Sequence, residues 1–341
     1  MKAVDFFCSA GGVTCGFKQA GIDVLGGIDI DPACKETYEL NNNAKYLCED
    51  VSHLPKPKVG KFFKIRRNQR DLVFVGCSPC QYYSNIKTDK TKSEGTRLLL
   101  ADFQEFVAYY RPGYVFIENV PGLDKKPNSP LAKFKEFLVE NKYVFDEAVI
   151  NAKYFSVPQN RRRYVLIATR LKKKINLPRE NRDDIKTVFQ TIGDYNTFQP
   201  IQAGHIDQTE FIHSSADLED INMQRITNTP HNGGDRRNWP IELIPDCYEN
   251  HDGHTDVYGR MHWEKPSPTI TTRFTSYSNG RYGHPEQDRA ISLREGASLQ
   301  SFPEDYIFHS ESQGTIAKMI GNAVPPLLAK AIGTSLLGKR R

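Results

Sequence analysis

Two stretches of this 341-residue chain place a nucleophile and an acid where short apolar runs end. One reads Gly76-Cys77-Ser78-Pro79-Cys80-Gln81 and the other Glu118-Asn119-Val120-Pro121-Gly122. If the two runs are neighbouring strands, the thiol of Cys80 and the carboxyl of Glu118 can face one substrate, the pairing that covalent addition with proton transfer needs. Cys77 and Cys80 also make a CxxC, so half a zinc site or a redox pair has to be weighed. Cys247, His251 and His254 are the nearest further ligands and fit zinc spacing poorly. A redox pair opens a helix with one thiol exposed, whereas Cys77 belongs to an apolar strand.

A second group of residues suits a nucleoside-bearing cofactor. Cys8-Ser9-Ala10-Gly11-Gly12 is a small-residue turn after the first apolar run, open enough for a ligand to approach the backbone. Asp29 stands 18 residues beyond Gly11 at the end of the second run, suited to accept from ribose hydroxyls, and Asp50 follows a third candidate strand. The turn lacks the full GxGxxG spacing of a dinucleotide site.

Elements must bring these groups together. Runs at 2–7, 24–30, 71–77, 114–119 and 163–169 are short and mostly unalternated, as strands buried on both faces are. Between them, stretches such as 97–111 repeat apolar residues at helical spacing (Leu99, Phe103, Phe106, Val107, Tyr110) until Pro112. The alternation predicts an α/β fold, a doubly wound, mostly parallel sheet with ligands at the carboxyl ends of its strands. From about 171 to 258 the chain turns polar and loses its periodicity, so a second, smaller and irregular domain is expected. The ending GNAVPPLLAKAIGTSLL reads as an apolar helix returning to the first domain. The expected division is 1–173 for catalysis and cofactor, 174–310 for target recognition, and 311–341 returning.

Mean hydropathy is −0.56, and no apolar run approaches the roughly 18 residues of a membrane span. The opening MKAVDFFCSAGG is a strand and turn rather than a signal peptide, and seven scattered cysteines suit a reducing compartment. A cytoplasmic protein without membrane partners is expected. The net charge of +5 is unevenly placed, with cations bunched at 61–70, at Lys87, Lys90 and Lys92, at 161–163, at 172–174 and at Arg236 and Arg237. Such clusters can track a phosphate backbone or lie on solvated surface.

Taken in order, DFFCSAGG, GCSPCQ, FIENVPGL, FSVPQNRRR, PSPTITTR with REGASLQSFPEDY, and GNAVPP resemble the motifs of the DNA (cytosine-5)-methyltransferase family of bacterial restriction-modification type. The resemblance covers nearly the whole chain outside the irregular region. It implies the S-adenosylmethionine-dependent methyltransferase fold and transfer of a methyl group from S-adenosyl-L-methionine to C5 of cytosine, leaving S-adenosyl-L-homocysteine. Cys80 would add to C6, and Glu118, kept protonated or sharing a proton with the base, would serve N3. Asn119 would orient that carboxyl and its loop. Arg161 and Arg163 match the QxRxR arginines that help at the carboxylate and at the base carbonyl or thiolate. The cofactor would rest on Phe7, Ser9, Gly11 and Gly12, with Asp29 on the ribose, Ile30 against the adenine, Asp50 near its amino group, and Pro79, Asn322 and Val324 completing the pocket. Ser9 stands where the family has its first glycine, and Asp29 where a longer Glu is common.

The resemblance also implies double-stranded DNA as substrate, with the target cytosine flipped out of the stack. Residues 82–95 resemble the loop that closes over that base. Gln81, Ser84, Lys87, Lys90 and Arg97, with Arg236 and Arg237 in HNGGDRRNWP and Arg273, are the expected DNA contacts. A monomer, nucleoid-associated through DNA and paired functionally with a cognate restriction endonuclease, is the expected setting. The rival readings are a tRNA cytosine-5 methyltransferase, against which the large polar region argues, and a non-catalytic DNA-binding regulator, against which the intact reactive residues argue.

Overall fold

The computed structural model describes residues 1–78, 99–122, 129–248 and 256–338. They fall into two compact units, one of Met1–Asn151, Arg162–Glu180 and Val324–Arg341, the other of Ala152–Arg161 and Asn181–Ala323. Segments 152–161 and 311–323 thus pack with the second unit, whereas the sequence division drew them into the first and last segments.

The first unit is built on β1 (Lys2–Phe6), β2 (Asp23–Asp29), β3 (Lys45–Cys48), β4 (Leu72–Gly76), β5 (Tyr114–Asn119), β6 (Val144–Asn151) and β7 (Arg162–Thr169), in the order β3-β2-β1-β4-β5-β7-β6. β3, β2, β1, β4 and β5 pair in parallel, and β7 runs antiparallel to β5 and to β6. The central strands β4 and β5 are buried along their whole length, which is why they read as unbroken apolar runs. β6 lies at the sheet edge and is half-exposed, so its residues give no such run.

Helices α1 (Gly12–Ala20), α2 (Lys35–Asn42), α3 (Lys56–Phe63), α4 (Leu99–Tyr110) and α5 (Pro130–Glu140) connect the strands. α4 buries Leu100, Phe103, Phe106, Val107 and Tyr110, one helical face. That face meets β1 and β4 through edge-on ring contacts, with Phe103 5.2 Å from Phe6 and Tyr110 5.6 Å from Phe74 between centroids.

The second unit carries α6 (Val188–Ile192), α7 (Asp220–Thr227), α8 (Leu293–Leu299) and α9 (Gln313–Asn322), separated by long irregular stretches. The chain then re-enters the first unit through Pro325 into α10 (Pro326–Leu336). α10 packs on α1 so closely that a Cβ on Gly16 would come within 2.2 Å of the Pro326 carbonyl oxygen. Buried arginines hold the irregular stretches of the second unit. Arg260 donates from Nε to Thr229 O (2.9 Å) and from Nη1 to His284 O (3.0 Å), and Arg294 donates to the carbonyls of Phe211 (2.7 Å) and Tyr306 (2.9 Å). Guanidinium groups here take the place of a strand ladder, because buried carbonyls must find donors.

Candidate active site

β1 ends in a turn made of unusual backbone. Phe7 (φ 62°), Ser9 (φ 46°) and Gly11 (φ 90°) are all left-handed, and Gly11 caps α1. The conformation costs Gly11 nothing but costs a residue with a Cβ about 1 kcal/mol. Ser9 is held there by Asp29, whose Oδ2 accepts the Ser9 N–H at 2.8 Å while Oδ1 accepts from Asp31 N at 3.0 Å. Asp29 therefore fixes the turn, and burial raises the pKa of its carboxyl. Ser9→Gly should accordingly raise stability by about 0.5–1 kcal/mol. A urea midpoint that stays level or drops would show that the hydroxyl, 3.7 Å from Cys34 Sγ, contributes more than the backbone strain costs.

Beside this turn Ile30 is 65% exposed, a flat apolar surface suited to a heterocycle. Asp50 caps its own turn, accepting from Ser52 N (2.9 Å) and lying 3.0 Å from His53 Nδ1; the Ser52 bond chiefly holds its pKa low. Phe7, Ser9, Gly11, Gly12, Asp29, Ile30, Asp50 and Val324 belong to the first unit, Asn322 to the second.

The parallel register carries the chemistry of the neighbouring strand ends. Phe74 pairs with Val115 and Val75 with Phe116, so two further residues along each strand set Cys77 beside Glu118. Burial first, then the Glu118 and Asp5 carboxyls, push the Cys77 thiol well above its ordinary range, which suits neither a redox thiol nor a thiolate ligand. Among the described residues no three His, Cys, Asp or Glu side chains group as a metal site. Glu118 is 8% exposed, and Arg163 at the start of β7 brings Nε to 3.0 Å from Glu118 Oε1. The contact has ion-pair distance without hydrogen-bond alignment, so among the described residues Oε1 has no hydrogen-bond donor. Asn119 Oδ1 accepts from Val120 N at 2.7 Å and shapes the turn that follows β5.

Glu118 and Arg163 thus meet where β5 ends and β7 begins, and Asn119 follows Glu118 on β5. Arg161 is differently employed. Buried in the second unit, it donates to the carbonyls of Ile270 (3.0 Å), Gly321 (3.3 Å) and Ala323 (3.2 Å), tying three motif-bearing segments together. Of the arginine pair in HNGGDRRNWP, Arg236 is 4% exposed and stacks 4.1 Å from the Tyr248 ring centroid. Arg237 has a side chain 69% exposed and grips Asp235 through Nε (2.9 Å) and Nη2 (2.7 Å), which holds the Asp235 pKa down to about 2. Arg273 is exposed on a turn of the second unit. Pro79, Cys80, Gln81, Ser84, Lys87, Lys90 and Arg97 lie outside the described residues.

The sequence reading passed over Asp5. Inside β1 its Oδ2 accepts from Thr14 Oγ1 at 2.9 Å, and Thr14 Oγ1 is 2.8 Å from Tyr38 Oη; Oδ1 is buried with no hydrogen-bond partner among the described residues. A lone carboxylate within KAVDFF was the available signal. Burial, opposed by the Thr14 bond, raises its pKa to about 7. Between pH 4 and 7 the folded chain holds a proton that the unfolded chain releases, so this stabilising term is lost as pH rises through 7. Asp5→Asn should therefore gain roughly 2–4 kcal/mol on wild type between pH 5 and pH 8. Equal differences in denaturation midpoint at the two pH values would refute this.

The sheet order and ligand-side turns define an α/β methyltransferase fold of the S-adenosylmethionine-dependent type. Among solved structures it resembles a protein of an Escherichia coli prophage described as a DNA modification methyltransferase (TM-score 0.76, 22% identity, 99% of each chain covered). It also resembles the Entamoeba histolytica methyltransferase EhMeth (TM-score 0.68, 13% identity, 99% of this chain and 98% of that one). At these identities the likeness is one of fold. The sequence is 37% identical to the type II methylase M.HgiDII of Herpetosiphon aurantiacus, over 98% of this chain and 94% of the relative. The chain belongs to the C-5 cytosine-specific DNA methylase family, whose model matches residues 1–338, and it is an enzyme of that class.

Proposed function

We propose that the chain transfers a methyl group from S-adenosylmethionine to C5 of a flipped-out cytosine in duplex DNA through a covalent bond to Cys80, within a restriction-modification system. The observation that carries this is the Glu118–Arg163 pair, one strand over from the segment leading to Cys80, in a chain of this family. The left-handed turn, exposed Ile30 and the Asp29 carboxylate fit a nucleoside with a charged tail. Bound there, S-adenosylmethionine supplies an electrophilic methyl group on its sulfonium.

The chain's own residues do the rest. The Cys80 thiolate adds to C6, and Glu118 gives N3 the proton that neutralises the ring as the new bond forms. Methylated C5 then loses H5 as a proton, N3 returns its proton, and the C6–sulfur bond breaks to release the thiolate. Arg163 holds Glu118 in place and tempers its charge. Arg161 acts at a distance, positioning backbone, and Arg237 with Arg273 are better placed than Arg236 to meet DNA. Residues 174–310 serve target recognition, and the enzyme acts as a cytoplasmic monomer beside a cognate endonuclease.

Tritium from labelled S-adenosylmethionine should enter duplex DNA and not tRNA, and Cys80→Ser should abolish the transfer. With 5-fluorocytosine at the target, where H5 cannot leave, the protein should remain attached to DNA after denaturation. Label in tRNA alone, or a complex that dissociates fully, overturns the reading.

A further inference from the structure

The cationic run at 61–70 and the one at 172–174 find no use in the chemistry above, yet the fold joins them. Loop 64–71 leads into β4, the loop after α4 leads into β5, and 170–174 follow β7, so all three lie at the end of the sheet opposite Cys77 and Glu118. Arg170 fastens them. Its Nη2 donates to Asn68 O (3.0 Å) and Arg111 O (2.9 Å), and its backbone N donates to Gly113 O (3.3 Å). Asn68 N in turn donates to Tyr110 O (2.6 Å), and Gly113 N to Gln69 O (3.1 Å). This scaffold presents Arg66, Arg67, Arg70, Lys172, Lys173 and Lys174, all exposed and none in an ion pair among the described residues.

Unneutralised cations gathered from separate elements on one rigid edge raise the local potential where a polyanion can reach it. Among the described residues no open aromatic platform accompanies them, since Tyr109 is covered by Arg67 at 4.9 Å and Tyr110 is buried. Single strands bind by stacking their bases, so the surface fits the phosphate backbone of a duplex. We propose that this edge holds a second segment of double-stranded DNA, apart from the segment being methylated, through phosphate contacts without sequence preference. The enzyme would then bridge two stretches of DNA and pass between them without full release.

The inference rests on the reading of the chain as a DNA enzyme. Counting duplexes needs no turnover, however, so failure of either reading shows separately. Sedimentation with a short labelled duplex should find two duplexes per chain for wild type and one after Arg66, Arg70, Lys172, Lys173 and Lys174 are all changed to Gln. The lost site should weaken by at least about tenfold, with the salt slope shallower by about 0.9 for each phosphate contact removed. Methyl transfer to short fragments should stay within about twofold of wild type, because no altered residue approaches Glu118. Changing Lys172, Lys173 and Lys174 alone should give an intermediate loss. One duplex per wild-type chain, two per variant chain, or methylation falling in parallel with binding would overturn the proposal. So would a second site that prefers double-stranded RNA or polyglutamate to DNA.

Discussion

Glu118→Gln is expected to lower methyl transfer to DNA by about 10²–10⁴-fold while leaving S-adenosylmethionine binding unchanged. Glutamine keeps the size and the hydrogen-bonding capacity of the side chain at the end of β5, so the turn shaped by Asn119 and Val120 is preserved. What it lacks is a proton to give and take at N3, without which thiolate addition leaves negative charge on the ring. The ion-pair partner distinguishes chemistry from scaffolding. Arg163 brings Nε to 3.0 Å from the Glu118 carboxylate, and both side chains are largely shielded from water. Arg163→Met would leave that carboxylate without its cation, and methyl transfer should fall while cofactor affinity holds. Single-turnover rates with cofactor affinity measured alongside would decide the matter. A Gln variant within tenfold of wild type would remove Glu118 from the proton transfer.

Arg289→Met is expected to destabilise the second unit by about 3–5 kcal/mol. Arg289 and Glu295 are each 0% exposed and pair through two bonds of 2.7 Å, while Glu295 also accepts from Ser292 N at 2.7 Å in the cap of α8. Burial alone would raise the Glu295 pKa, but the Arg289 charge and hydrogen bonds prevail and bring it down to about 2. Removing the arginine strands a buried carboxylate beside a helix cap. The double change Arg289→Met with Glu295→Met should recover much of the loss, since an apolar pair of similar volume needs no compensation.

Both tryptophans, Trp239 and Trp263, lie in this unit, so their fluorescence during urea unfolding reads its stability directly. A single variant within 1 kcal/mol of wild type would mean that water or a rearranged side chain satisfies Glu295. The neighbouring His284 adds a pH dependence. Burial lowers its pKa to about 4 despite Glu295 at 3.7 Å. An unfolded imidazole takes up its proton near pH 6.5, so wild-type stability should fall as pH drops from about 6.5 to 4.

Much of the first unit was legible because its strands obey one rule. A strand covered on both faces must be apolar throughout, so 71–77 and 114–119 announced themselves, and the residues just past them announced the ligand side. The edge strand β6, half in water, carries no such constraint and went unread. The second unit obeys no periodic rule, because buried arginines rather than a ladder satisfy its carbonyls.

That the runs at 71–77 and 114–119 lie side by side with Glu118 at the end of one of them was legible in the sequence alone, together with the family and the small-residue turn after β1. Which arginine does what was decided only in three dimensions. Arg161 and Arg163, two residues apart, part company at the start of β7, one binding carbonyls and the other Glu118. Arg236 turns inward onto Tyr248 while Arg237 stays in water. A guanidinium reads the same in a sequence whether it ends on a carbonyl, a carboxylate or a ring, and only the packing around it selects among them.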